Sequence, residues 1–215
     1  MAYFKNTSTF LTFMNNFKKF WDKFWFTVWK DPSLKGWIMS IIFIFIVIKF
    51  IFFPLLSFTT GTSLPLAIVE SCSMYHEDNI FSDFDSWWEE NGKEYRDFGI
   101  SQEDFLEYNL NNGFTKGDIL FITGVSPEKV ELGDIIIFQA AGKDIIHRVV
   151  EINREESEYV FTTMGDNVGR VQFFEERISE NQLVGKAQAR LVPYAGWIKL
   201  VFYEPARESS QRGFC

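Results

Sequence analysis

Ser73, His147 and Asp166 follow one another along the chain, within Ser71-Cys72-Ser73-Met74, Ile146-His147-Arg148-Val149 and Gly165-Asp166-Asn167. A serine hydroxyl is a weak nucleophile until a base takes its proton. A histidine held by a carboxylate can be that base, so the three residues form a candidate hydrolytic triad. Ser71 lies two residues before Ser73, on the same side of an extended chain. Its hydroxyl and the Ser73 N–H are candidate donors to an oxyanion. His147 interrupts the apolar run at residues 144–152 and shares a strand face with Ile145 and Val149. An isolated histidine there is usually a core residue with one hydrogen bond; the company of Ser73 makes it a candidate general base. His76, the only other histidine, sits in a polar stretch and reads as a surface residue. Gly-Asp-Asn is also a common turn. Gly117-Asp118 and Gly133-Asp134 resemble it and read as turns that open strands.

The elements that must position these residues begin with a membrane anchor. In residues 37–58 only Ser40, Lys49, Pro54 and Ser57 are not apolar, and such a stretch is long enough to cross a hydrocarbon core of roughly 30 Å. Lys49 costs about 2.5–3.5 kcal/mol on insertion scales if placed centrally, and snorkelling of its long side chain offsets this. The length of the run and the residues before it favour a retained anchor over a cleaved leader. Before it, Phe10, Phe13, Met14, Phe17, Phe20, Trp21, Phe24, Trp25 and Val28 recur at helical spacing, with Lys18, Lys19 and Lys23 between them. This predicts an amphipathic helix suited to the inner leaflet, with residues 1–36 as a cytoplasmic anchor and Asp31-Pro32 and Gly36 in the bend. Residues 1–36 hold six Lys against two Asp, net +4, which places the N-terminus in the cytoplasm.

Beyond the span the balance reverses. The whole chain of 215 residues carries a net charge of −8, so its outer part is acidic, which excludes the basic footprint of a nucleic-acid binder. Residues 59–203 read as one extracytoplasmic domain and 204–215 as a polar tail. Within the domain, residues 76–113 form an acidic, aromatic insertion with helices near 82–93 and 101–110, the second opened by a capping pattern at Ser101 to Asp104. This insertion reads as a lid or spacer. Stretches 118–123, 134–139, 145–152, 159–163 and 183–191 read as strands separated by turn residues. The predicted fold is mainly β, an antiparallel sheet or partial barrel with a small helical insertion. Residues 192–203 are apolar but too short to span, and can dock on the sheet or the membrane. The two cysteines, Cys72 beside the candidate nucleophile and Cys215 in the tail, are not expected to form a structural disulfide, and no spacing suggests a zinc site.

Together these motifs resemble type I signal peptidases of the archaeal and endoplasmic-reticulum branch, peptidase family S26. Ser71-Cys72-Ser73-Met74 matches the family's Ser-Gly-Ser-Met, with Cys72 in the Gly place and His76 where a Pro is frequent. Gly133-Asp134-Ile135-Ile136-Ile137-Phe138, Ile146-His147-Arg148-Val149, Gly165-Asp166-Asn167 and Val184-Gly185-Lys186-Ala187 match the remaining boxes. The bacterial branch carries Lys at the histidine place, so His147 implies a Ser–His mechanism. The family commonly has a second Asp six residues after Gly-Asp-Asn; here Gln172 stands there, followed by Glu175 and Glu176. The histidine is then oriented by Asp166, which we prefer, by one of those glutamates, or by no acid.

The resemblance implies an endopeptidase that removes signal peptides from exported preproteins, with Ser73 as nucleophile, His147 as base, and Ser71 and Ser73 as the oxyanion hole. It implies no cofactor or metal. Its partners would be preproteins, the lipid bilayer and the export translocon, and its location the cell membrane. The competing readings are an inactive anchored homologue acting as a scaffold subunit, and a related membrane peptidase with another substrate.

Overall fold

The computed structural model describes residues 5–76 and 84–215, with side chains from residue 13 onward except Ser210. The expected helix start at Ser82, the side chain of Phe10, and Glu77, Asp78 and Asp83 of the acidic insertion lie outside the described residues. The chain divides into two units, residues 1–56 and 57–215.

In the first unit α1 (Lys5–Trp29) carries a ladder of aromatic rings, Phe13 on Phe17, Phe17 on Trp21, and Trp21 on Phe24 and Trp25. The heptad-like spacing brings i and i+4 rings onto one face. The end of that face packs on α2 (Leu34–Val47), where Phe24, Trp25 and Trp29 surround Phe43 with centroids 5.6–6.3 Å apart. Ser40 Oγ donates to the Val28 carbonyl. The aromatic face thus finds a helix partner as well as an apolar exterior. Asp31 and Ser33 cap the turn, and a Cβ on Gly36 would meet the Asp31 carbonyl at 2.2 Å, so only glycine fits there. A helical run Leu34–Thr60 of 27 residues is long and apolar enough to cross a membrane. It widens into a π turn at Ile48–Phe52, just before α3 (Phe53–Thr60). Pro54 has no N–H to return to the preceding turn, and a π turn is one way to absorb the missing bond. The Lys49 ammonium lies 5.6 Å from both the Phe45 and Phe50 ring centroids.

The second unit is built on an antiparallel sheet: β1 (Leu66–Ile68), β2 (Ile119–Thr123), β3 (Ile135–Ala140), β4 (Lys143–Glu155), β5 (Glu158–Met164), β6 (Ile178–Ser179) and β7 (Leu183–Val192). Their order is β1-β2-β7-β3-β4-β5-β6, open at both ends. The five strands expected from alternation all form, so the mainly β reading holds. The short β1 and β6 were not legible, having three and two residues. Strand alternation sends Ile135 and Ile137 into one core with Leu120, Ile122, Val69, Met74 and Phe114. It sends Ile136 and Phe138 into another, with Val149, Phe161 and Ile178. Two buried faces explain why β3 reads as a continuous apolar run. The turns at Gly117-Asp118 and Gly133-Asp134 are carboxylate-closed: Asp118 accepts from the Thr115 N–H and Asp134 from the Glu131 N–H.

The insertion contributes α4 (Phe84–Asp97) and α5 (Gln102–Glu107), the latter with a Ser101–Asp104 capping box. Trp87, Trp88, Tyr95 and Phe105 are buried with Val150 and Met164 of the sheet. These helices form a packed core layer, where a lid or spacer was expected. Such aromatic burial, at about 25 cal/mol per Å² of apolar surface, makes the layer part of the fold's stability. The short α6 (Trp197–Leu200) seals the end of β1, with Trp197 Nε1 donating to the Lys116 carbonyl and Gly196 N–H to the Gly117 carbonyl.

Candidate active site

The loop that carries Ser73, residues 69–76, follows β1 and crosses the first core. Val69 exchanges backbone hydrogen bonds with Gly117 and Asp118. Buried Met74 anchors the loop, and its carbonyl accepts from the Phe114 N–H. Asn167 holds the loop from the opposite side, its N–H donating to the Ser73 carbonyl at 2.8 Å and its Nδ2 to the Cys72 carbonyl at 3.1 Å. The side chain of Ser73 is thereby aimed at β4. Its Oγ lies 2.8 Å from Nε2 of His147, and Ser71 Oγ lies 3.1 Å from Ser73 Oγ.

His147 is buried on β4, paired in register with Ile136. Its Nδ1 contacts Oε1 of Glu175. Glu175 is wholly buried on a 3-10 turn, Phe173–Glu175. Thr163 Oγ1 donates to its Oε1 at 3.2 Å, and the Gln172 N–H donates to its Oε2 at 2.9 Å. A carboxylate can only accept, so Nδ1 carries the proton and the Nε2 lone pair faces the Ser73 hydroxyl. Serine, imidazole and carboxylate stand in line, with the acid on the far side of the ring from the nucleophile. This is the arrangement that base-activated acyl transfer requires.

Asp166, preferred as the orienting acid from the sequence, does not contact His147. Both of its oxygens are taken. Arg148 donates Nε to Oδ1 at 3.0 Å and Nη2 to Oδ2 at 2.7 Å; Tyr95 OH donates to Oδ1 at 2.7 Å, and His76 Nε2 lies 2.8 Å from Oδ2. Residues 147 and 148 point to opposite faces of β4, so the acid that holds Arg148 is on the wrong side for His147. Arg148 is fully buried and spends its remaining N–H groups on the carbonyls of Asn109, Leu110 and Gly133. Burial pushes the Asp166 carboxyl up, but the Arg148 guanidinium and the His76 ring hold it well below the usual carboxylate range. Burial, then the Asp166 charge, raises the Tyr95 phenol well above its ordinary value, keeping it a donor.

His76 is likewise no surface residue. It is buried, stacked on Trp87 with centroids 3.8 Å apart. Its polar neighbourhood in sequence concealed an aromatic one in space, supplied by α4. Cys72 and Cys215, expected to stay apart, form a disulfide with Cα atoms 5.5 Å apart. The signal available was their even number, both lying beyond the candidate membrane span. Glu176 makes no contact with His147 among the described residues; its carbonyl accepts from Thr162 Oγ1. Among the described residues no group of His, Cys, Asp and Glu could hold a metal ion.

Gly165 allows the closest approach in the site. A Cβ there would lie 2.8 Å from His147 Nε2 and 2.9 Å from the Ser73 carbonyl. Gly165→Ala is expected to part the serine from the imidazole and to lower kcat at least about 100-fold, since a displacement of roughly 1 Å has that effect. Unchanged turnover in the variant would show that the two groups need not meet at this spacing.

No protein-family model matches the chain. Among curated proteins it is similar to the "Signal peptidase complex catalytic subunit SEC11C" of Homo sapiens and of Canis lupus familiaris, at 28% identity over 104 residues, covering 45% of this chain and 54% of the relative. It is also 27% identical over 99 residues to the "Putative signal peptidase complex catalytic subunit SEC11B" of Homo sapiens, covering 42% of this chain and 59% of that protein. The chain spans about half the length of the curated relatives it matches. The relationship is therefore distant and partial, and it is to catalytic subunits of signal peptidase.

Proposed function

We propose that this protein is a membrane-anchored serine endopeptidase that removes signal peptides from exported preproteins. One observation carries the reading: Ser73 Oγ, His147 and Glu175 are in line, with Oγ 2.8 Å from Nε2. The partial similarity to signal peptidase catalytic subunits supplies the substrate class. Ser73 attacks the scissile carbonyl while His147 Nε2 takes its proton. The Ser73 N–H and the Ser71 hydroxyl stabilise the oxyanion. His147 then protonates the departing amine, and a water activated by the same nitrogen clears the acyl-enzyme. Glu175 holds the Nδ1 proton and stabilises the imidazolium. Asp166 is assigned to the fold, where it neutralises Arg148.

The apolar helix tethers enzyme and lipid-held signal peptide at one interface and raises their effective concentration. The N-terminus is on the cytoplasmic side and the sheet outside, where the cell membrane meets the export machinery.

The test is cleavage of a preprotein by the full chain in lipid vesicles. Ser73→Ala and His147→Ala are each expected to lower kcat by about six orders of magnitude, below detection, because members of such a unit fail together. Absence of cleavage by the inserted, folded wild type would favour the scaffold reading. Cleavage that survives His147→Ala would remove His147 as the base.

A further inference from the structure

The polar tail is fastened to the residues that immediately precede the nucleophile. Arg207 donates Nη1 to the Glu70 carbonyl at 2.9 Å and Nη2 to Glu70 Oε2 at 2.7 Å. Lys199 reaches Glu70 Oε1 at 3.3 Å. Lys116, almost wholly buried, donates to the Gln211 carbonyl at 2.7 Å and pairs with Glu204 at 2.8 Å. Phe214 packs on Trp197 with centroids 4.4 Å apart. Cys215 is bonded to Cys72. Glu70 and Cys72 flank Ser71, and Cys72 precedes Ser73, so the tail grips both neighbours of the oxyanion donor and the residue next to the nucleophile. Asn167 and Phe114 hold the loop from the other side. Nothing in acyl transfer consumes the tail, yet Arg207 and Cys215 fasten it to the Ser73 loop itself, while Lys116 and Trp197 hold it on the turn before β2 and on α6.

We propose that residues 204–215 are a strap that positions Ser73 and Ser71, with Cys72–Cys215 as its redox-sensitive latch. The inference rests on the peptidase reading for its catalytic consequence. Cys215 is the more exposed residue of the pair and Cys72 is half-buried, which makes the Cys215 sulfur, which accepts from the Lys116 N–H, the expected point of attack. With a dithiol reductant, one thiolate forms a mixed disulfide with Cys215 and expels the Cys72 thiolate. The reductant's second thiolate then displaces Cys215. Two protein thiols and one oxidised dithiol result, with two electrons passing from the reductant to the protein. Arg207 and Lys116 still tether the tail afterwards, so the loop loosens and is not lost. Loosening moves the nucleophile against its base, which lowers kcat. The sheet strands β3, β4 and β5 take no bond from the tail, so KM is expected to stay in place.

The experiment uses the full chain in vesicles, oxidised, reduced with dithiothreitol, and reoxidised, at a temperature where circular dichroism shows every form folded. Reduction is expected to lower kcat about 10–100-fold with KM within about twofold, the range of a roughly 1 Å misplacement, and reoxidation to restore it. Cys215→Ser should show the low kcat in both conditions, with no response to the reductant. Arg207→Ala should lower kcat in the same sense and Arg207→Lys should recover part of it. Hydrogen exchange reads the strap without peptidase activity: reduction is expected to speed exchange at residues 69–75 and leave β3, β4 and β5 unchanged. Faster exchange in a chain that cleaves nothing would mean that the strap stands and the peptidase reading has failed. Equal kcat and equal exchange in both redox states would overturn the strap, as would free thiols in the air-oxidised protein. A loss of activity that only tracks the unfolded fraction would also overturn it, by reducing the disulfide to a staple.

Discussion

Glu175→Gln is expected to lower kcat for preprotein cleavage about 10⁴-fold, with KM little changed. The reason is the tautomer. Glu175 accepts the Nδ1 proton of His147, and that leaves the Nε2 lone pair toward Ser73 Oγ, 2.8 Å away. A glutamine can present its amide N–H to Nδ1 instead, which moves the ring proton to Nε2 and points a donor at the serine. In serine hydrolases the equivalent acid-to-amide change has an effect of this size. The Gln172 N–H favours that outcome: it donates to Oε2, the oxygen turned away from His147, and would hold the carbonyl of a glutamine there. The Thr163 hydroxyl, which donates to Oε1, can turn to accept from the amide instead. Glu175→Asp is one methylene shorter and should fall between wild type and Glu175→Gln. Full activity in Glu175→Gln, measured with pure full-length protein in vesicles, would show that His147 needs no acid and sink the triad.

The sequence pointed to the proposed serine and histidine, which the structure brings to 2.8 Å, more clearly than to the carboxylate beside them, for a physical reason. Ser73 lies in a short serine motif just beyond an apolar strand, and His147 in an alternating apolar run, so β4 forms where residues 145–152 predict it. The acid is set by which face of β4 each neighbour points to and by a single 3-10 turn, Phe173–Glu175, that no periodicity announces. Gln172, standing where an Asp was expected, caps that turn through its own N–H and delivers Glu175 to the histidine. On the proposed reading the acid stands three residues beyond the place where the resemblance expects an Asp and is one methylene longer, and the 3-10 turn accommodates both differences. The packing of the insertion is hidden from the sequence for a similar reason. Its charge count suggested a solvated spacer, while Trp87, Trp88, Tyr95 and Phe105 were hidden among those charges and meet only when α4 and α5 fold onto β4 and β5. The Cys72–Cys215 bond joins positions 143 residues apart, a separation across which local patterns carry no information.

Asp166→Asn is expected to destabilise the sheet domain by about 3–5 kcal/mol, the cost of leaving one member of a buried ion pair without its partner. For a domain of this size each kcal/mol moves Tm by about 2–4 °C, so a fall of roughly 6–20 °C should be seen. Four donors converge on the Asp166 oxygens, from Arg148 Nε and Nη2, Tyr95 OH and the His76 ring. An asparagine amide would set its own N–H groups against some of them and leave the fully buried Arg148 charge unopposed. The pH dependence follows from the same contacts. Burial raises the Asp166 carboxyl, but Arg148 and His76 outweigh it and hold the folded value below the unfolded one, near 3.9. A depressed carboxyl contributes stability that is fully present above about pH 4 and is lost as pH falls through and below that value. Wild type should therefore lose Tm on the acid side, and Asp166→Asn should show a flatter acid limb. Removing both charges, with Arg148→Met added to Asp166→Asn, should recover part of the loss, and the double-mutant cycle measures the coupling. Thermal melts across pH about 3–8 decide the matter. An Asp166→Asn protein that keeps the wild-type Tm yet loses kcat with its KM intact would return Asp166 to the reaction. A protein that loses Tm but cleaves normally at low temperature would place Asp166 in the framework, holding β4 still while its neighbour His147 does the chemistry.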